Sequence, residues 1–178
     1  KTELDVALTN DDATTLQNSK PVLAKPTKKR SSAKAKNTAD HNVQMPSHLY
    51  DTIVVGAGIS GIAAAVKLNK VGYDNYIVIE KADRVGGAWR ENTYPGCGCD
   101  VPSALYSFSF APSYKWSHLF AKQPEILSYL EEVVDQFDLK QKIEFNNELI
   151  NAKWDEDKHL WQLETPKGIY QARTVIFS

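Results

Sequence analysis

The chain has 178 residues, with 21 lysines and arginines against 22 aspartates and glutamates, and 42% of its residues are apolar. A net charge near zero gives no bulk attraction to nucleic acid or to an anionic membrane, and the length suits one domain or part of one. No apolar run approaches the roughly twenty residues of a membrane-crossing helix and no signal-peptide pattern opens the chain, so a cytoplasmic protein is the default expectation.

Residues 1–46 differ from the rest. Acidic residues open the segment, and Lys20-Pro21, Lys25-Pro26, Lys28-Lys29-Arg30 and Ser31-Ser32-Ala33-Lys34-Ala35-Lys36 follow, with few large apolar side chains. Such a stretch cannot bury enough surface to offset its ordering entropy, and it reads as a disordered basic leader. A solvated linker is the simpler reading of its charge, against a nuclear-import or polyanion-binding patch. Order is expected to begin near Leu49.

From residue 51 the chain reads Asp-Thr-Ile-Val-Val-Gly-Ala-Gly-Ile-Ser-Gly, an apolar strand running into a G-x-G-x-x-G turn. Ile53, Val54 and Val55 suit a buried parallel strand, and Ile62 to Leu68 suit a helix with small residues on its packing side. Gly72 stops that helix, and residues 76–80 form a second strand ending in Glu80, nineteen residues beyond Gly61. Strand, glycine turn, helix, strand and acid together make a dinucleotide site. Gly56 permits the tight turn, Gly58 lets backbone approach a pyrophosphate, and Gly61 lets the helix pack close to the strand. The helix N-terminus, with Ile59 and Ser60 in its first turn, favours an anion, while Glu80 accepts hydrogen bonds from ribose hydroxyls and repels a 2′-phosphate. NAD and FAD both satisfy this unit.

The next segment discriminates. Gly86-Gly87-Ala88-Trp89, with Arg90, Asn92, Tyr94-Pro95-Gly96, Cys99-Asp100-Val101-Pro102-Ser103 and Tyr106 beyond, resembles the class B flavoprotein monooxygenases, the flavin-containing and Baeyer-Villiger monooxygenases. The resemblance runs from about Tyr50 to the end of the chain. Pyridine-nucleotide disulfide reductases place a redox cysteine pair directly after a similar Gly-Gly, where this chain has Trp89. Its two cysteines come later, as Cys97-Gly98-Cys99, and a C-x-C ring strains disulfide geometry. Two reduced, packed thiols are the simpler reading. Two cysteines are also too few for a disulfide framework or a zinc site.

The resemblance implies an α/β, Rossmann-like FAD-binding domain over residues 47–178, incomplete at Ser178, with the NADPH domain absent from the chain. It implies FAD contacts from Gly56, Gly58, Ile59, Ser60, Gly61, Glu80, Gly87, Ala88, Trp89 and Arg90. Tyr106 and Asp100 are implied near the flavin, Asp100 toward the nicotinamide region as the one candidate for a catalytic role, and a main-chain contact around Leu149 at the adenine end. Read without the resemblance, Asp100 is a turn residue before Val101-Pro102 and Trp89 a core aromatic. For the full-length enzyme the resemblance implies NADPH reducing the flavin, oxygen adding to give a C4a-peroxyflavin, and transfer of one oxygen atom to a ketone or to a soft nitrogen or sulfur. The partners are then a small organic molecule and molecular oxygen, with no nucleic acid and the oligomeric state open. The 178 residues alone are expected not to turn over. The other readings are a reductase or oxidase using Cys97 and Cys99, and a non-catalytic flavin-binding scaffold.

Further along, residues 106–110 alternate as a short extended segment, and Tyr114, Trp116 and Phe120 read as packing under a long loop. Pro124 starts an amphipathic helix with Ile126, Leu127, Leu130, Val133, Val134 and Phe137 on one face. Ile143 and Phe145 mark a strand. Residues 149–154, 159–164 and 168–172 read as an inserted antiparallel meander, and residues 174–177 as a buried strand returning to a parallel sheet. The four histidines, His41, His48, His118 and His159, show no metal spacing, and no metal site is expected.

Overall fold

The protein is described from a computed structural model, over residues 48–113 and 115–178. The leader expected at residues 1–46 and the packing expected of Tyr114 lie outside the described residues.

A six-stranded sheet of order β3-β2-β1-β6-β5-β4 organises the chain. Its strands are β1 (Leu49–Val55), β2 (Tyr76–Ile79), β3 (Ile143–Glu144), β4 (Asn151–Asp155), β5 (Leu160–Thr165) and β6 (Gly168–Phe177). β2 and β6 run parallel to β1 on its two sides, and β3 runs parallel to β2. The side chains alternate as a pleated strand requires: Val54 and Val78 pack into a core shared with the helices, while Ile53 and Ile79 pack on the opposite face with Leu163, Tyr170 and Ala172.

The meander departs from the expectation of a separate insertion. β6 is one strand of ten residues. Gly168 to Ala172 pair antiparallel with β5, and Gln171 to Phe177 pair parallel with β1. The return strand is therefore the meander's own last strand carried forward, and the sheet is mixed. No turn residue interrupts Gly168 to Phe177, so backbone hydrogen bonding continues on both edges through Gln171 and Ala172.

Helix α1 (Ile59–Lys70) follows the glycine turn and buries Gly61, Ile62, Ala65 and Val66. It ends where expected. Gly72 sits at φ +79, the Tyr73 N–H bonds to Leu68 O at 3.0 Å and the Gly72 N–H to Asn69 O at 3.0 Å, which is a Schellman termination. A one-turn helix α2 (Ala88–Glu91) follows the Gly-Gly pair. Helix α3 (Gln123–Gln136) carries Pro124 in its first turn and buries Ile126, Leu127, Tyr129, Leu130, Val133 and Val134. Tyr76 ties α1 to the sheet, its hydroxyl donating to Asn69 Oδ1 at 2.7 Å. Among the described residues no helix is long and apolar enough to cross a membrane.

Leu163 is fully buried beneath the antiparallel half of the sheet. Leu163→Ala is expected to cost about 2–5 kcal/mol in urea denaturation, and an unchanged midpoint would contradict this packing. Burial, with a smaller push from Asp74, raises the Tyr76 phenol to about 12 from 10.0. The folded state thus holds that proton more tightly than the unfolded chain. The Tyr76 contribution is whole below pH 10 and is lost as pH rises through about 12. Stability should fall more steeply across that window in the parent protein than in Tyr76→Phe, and parallel curves would sink the assignment.

Candidate functional site

The chain runs from β1 to β2 to β3 at one edge of the sheet, then crosses to β4 at the opposite edge and returns through β5 to β6 on the other side of β1. Ligands of open α/β sheets bind beyond the carboxyl ends of the strands at such a reversal. A cleft of about 730 Å³ lies there, lined by Val55 and Ile79 at the ends of β1 and β2 and by the glycine turn, α2 and the 147–149 segment.

The three glycines of the turn have separate physical reasons. Gly56 stands at φ +100, where L side chains are strained. A Cβ at Gly61 would lie 2.0 Å from Gly56 O, so this glycine is demanded by helix–strand packing. Gly58 needs neither. Its φ is −79, and a Cβ there would meet only Gly87 Cα at 3.6 Å. The missing side chain at Gly58 leaves space in the cleft rather than relieving a clash in the protein. Behind it, the first turn of α1 has no side-chain cap and no acidic residue, so its unpaired N–H groups stay available to an anion.

Glu80 is buried and fully engaged. Its Oε2 accepts the Ala57 N–H at 2.7 Å, and its Oε1 accepts the Ala82 N–H at 2.9 Å and Arg90 Nη1 at 3.2 Å. Its own N–H bonds to Glu144 O, and its carbonyl accepts the Asn147 N–H. The acid read as a ribose acceptor therefore also fixes the glycine turn. Arg90 continues outward, with Nη2 2.7 Å from Glu91 Oε1. Hydrogen bonding from Arg90, then from Lys81, holds the Glu91 carboxyl below its usual range.

Gly86 (φ +124) and Gly87 (φ +52) bring α2 against the turn, with the Gly86 N–H on Ala57 O at 3.0 Å. Trp89 is half-buried, and its indole N–H donates to the Tyr106 hydroxyl at 3.0 Å with the rings edge to face. The Tyr106 proton thus stays free to be donated. The Gln123 side-chain amide holds Trp89 O.

Of the expected site residues, Gly56, Gly58, Ile59, Ser60, Glu80, Gly87, Ala88, Trp89, Arg90, Tyr106 and Leu149 line this one cleft. Gly61 lies behind it as packing. Asp100 is exposed and outside the lining. Cys97 and Cys99 are free, buried and also outside it, with Cys99 Sγ donating to Val101 O at 3.1 Å. Among the described residues no group of three or more histidines, cysteines or acids could hold a metal ion. Sequence reading missed Lys81, Asn92, Asn147 and Glu148, which the cleft also presents. Asn147 is 1% exposed; its Nδ2 donates to the Tyr170 hydroxyl at 3.2 Å while Oδ1 has no partner among the described residues. A buried polar residue in the irregular segment after a short strand has no periodic signature, and only the fold brings it beside Glu80. Ser103 was legible only as part of a motif. It proves structural, its hydroxyl joining His118 O and Leu119 O to the Ala121 N–H.

The fold and cleft define a dinucleotide-binding protein of the Rossmann type. Residues 54–123 match the NAD(P)-binding Rossmann-like domain family. The Baeyer-Villiger monooxygenase of Streptomyces coelicolor is 46% identical over 123 residues, 69% of this chain and 24% of that protein. That of Pseudomonas aeruginosa is 41% identical over 125 residues, 70% of this chain and 24% of that protein. A cyclohexanone monooxygenase in its open form superimposes with a TM-score of 0.71 at 39% identity, covering 74% of this chain and 27% of that one. An oxidized steroid monooxygenase bound to NADP gives 0.69 at 41% identity, covering 74% and 26%. The chain spans about a quarter of the length of the curated relatives it matches. Over that quarter the chain is similar to these monooxygenases in both sequence and fold.

Gly58→Ala should change stability by less than about 1 kcal/mol, whereas Gly61→Ala should lose about 3 kcal/mol because the helix must move off Gly56. Chemical denaturation of the two variants separates these reasons, and equal losses would refute the sorting.

Proposed function

We propose that residues 47–178 bind FAD as part of an NADPH-dependent monooxygenase that delivers one oxygen atom to a ketone or to a soft nitrogen or sulfur centre of a small organic molecule. The observation that carries the reading is Gly58: a glycine that neither the backbone nor the packing requires, at the mouth of an uncapped helix. The orphaned Asn147 Oδ1 adds an unused acceptor along the same cleft. Both fit a dinucleotide. Relatives named as FAD-binding monooxygenases, and a solved complex with FAD and NADP at 32% identity and a TM-score of 0.69, support FAD as the occupant.

When bound, the flavin supplies the electron transfer and oxygen activation that amino-acid side chains lack. The protein's own groups bind and orient. The first-turn N–H groups of α1 take the pyrophosphate, with Gly58 giving it room. Glu80 meets the ribose. Trp89 and Tyr106 form an aromatic wall, and the free Tyr106 proton is available to an acceptor on the cofactor. Leu149 lies at the adenine end. Asp100, exposed beyond the lining, is assigned to the side on which the nicotinamide domain of such an enzyme closes.

Gly58→Val fits the extended backbone at that residue but fills the pyrophosphate path. The full-length protein should purify yellow, with flavin absorption, and the valine variant colourless with its fold retained by circular dichroism. Normal flavin occupancy in the variant would remove the site from this cleft.

A further inference from the structure

With the cleft read as the seat of FAD, we propose that Arg90 is a positioning residue that acts through Glu80 and sets recognition of the adenosine ribose, rather than touching the cofactor itself. The Arg90 and Glu80 side chains are 9% and 5% exposed, among the least exposed ion-paired side chains of the described residues. Three of the five Arg90 N–H donors already have protein acceptors. Nη1 lies 3.2 Å from Glu80 Oε1 and 2.6 Å from Arg84 O, and Nη2 lies 2.7 Å from Glu91 Oε1. Three acceptors divided between two terminal nitrogens suit the rigid fork of an arginine, and a lysine ammonium, a single point of charge, would not reproduce them.

The consequence falls on the carboxylate. Each carboxylate oxygen accepts about two hydrogen bonds. Oε1 is filled by the Ala82 N–H and Arg90, whereas Oε2 holds only the Ala57 N–H. One acceptor position on Oε2 is left for a ribose hydroxyl. Without Arg90, Oε1 loses a partner and the carboxylate can turn to share its donors differently, so the open position is no longer fixed toward the cleft. A residue that contacted the cofactor directly would instead contribute independently of Glu80.

ADP and 2′-deoxy-ADP, titrated calorimetrically into the full chain freed of flavin, read this distinction. A hydrogen bond from the 2′-hydroxyl to a charged carboxylate should give the parent protein about a tenfold preference for ADP. Arg90→Met should bring the preference to within about twofold while 2′-deoxy-ADP binds nearly as before, and Arg90→Lys should recover only part of it. In a Glu80→Gln background, Arg90→Met should change nothing further. A general loss of structure would weaken both nucleotides equally, and that result, a retained tenfold preference in Arg90→Met, or additive effects in the double variant overturns the positioning role. If Arg90→Met does not fold, Arg90→Lys carries the test: an unchanged ratio overturns the role. A parent protein that binds both nucleotides equally also removes it, and one that binds neither removes the dinucleotide reading beneath it.

Discussion

A buried carboxylate is tolerable only when donors surround it, and Glu80 draws them from three stretches of chain: Ala57 in the glycine turn, Ala82 in the corner after β2, and Arg90 in α2. Its backbone reaches a fourth, the 144–147 segment, through Glu144 O and the Asn147 N–H. These four pieces are the walls of the cleft. The interaction that satisfies one anion therefore also ties the walls of the site together. Removing either member of the Glu80–Arg90 pair would leave the other charged, buried and short of partners, which costs more than the pair itself contributes.

The second constraint is the length of β6. A strand that pairs antiparallel with β5 and then parallel with β1 links the meander rigidly to the central strand of the nucleotide fold. The meander consequently extends the same sheet and brings Tyr170 beneath the cleft. There its hydroxyl donates to Glu144 Oε2 at 2.7 Å and receives the Asn147 amide. Burial, then the Glu144 carboxylate, pushes the Tyr170 phenol well above its ordinary range, so it remains a protonated donor at any physiological pH. The polar groups along the 144–147 wall of the cleft are thus anchored by an element that looks, in one dimension, like decoration.

Much of this was legible from residue order. The β-branched run before Gly56, the small-residue helix after it and the acid at the end of β2 each report a local requirement that no other residue type meets, and they appear where expected. Pro124 and the apolar spacing after it likewise placed α3. The continuity of β6 was not legible, because its two halves have different partners and therefore different patterning: Gly168 to Ala172 alternates, whereas Val175 and Ile176 read as a buried run. The division of labour within the glycine turn was hidden as well. Gly58 and Gly61 are the same letter, and only the distance from a would-be Cβ to its neighbours separates a glycine that the packing demands from one that it does not.

That separation bears on how far motif reading carries in such proteins. Trp89, three residues from Gly86, was read from its neighbours as a cofactor-facing aromatic. The structure gives it a second task, since its indole proton fixes the Tyr106 hydroxyl and its carbonyl is held by Gln123 at the start of α3. Arg90, read by the same logic as a contact, gives three of its five donors to protein acceptors. Adjacent residues on one helical turn diverge in this way because side chains one apart leave the helix about 100° from each other, so a motif fixes which segment meets the ligand but not which side chain faces it. The glycines and the acid escape this ambiguity because their roles run through backbone conformation and buried charge. Those residues define the class of ligand, and the side chains between them set how tightly and how selectively it is held.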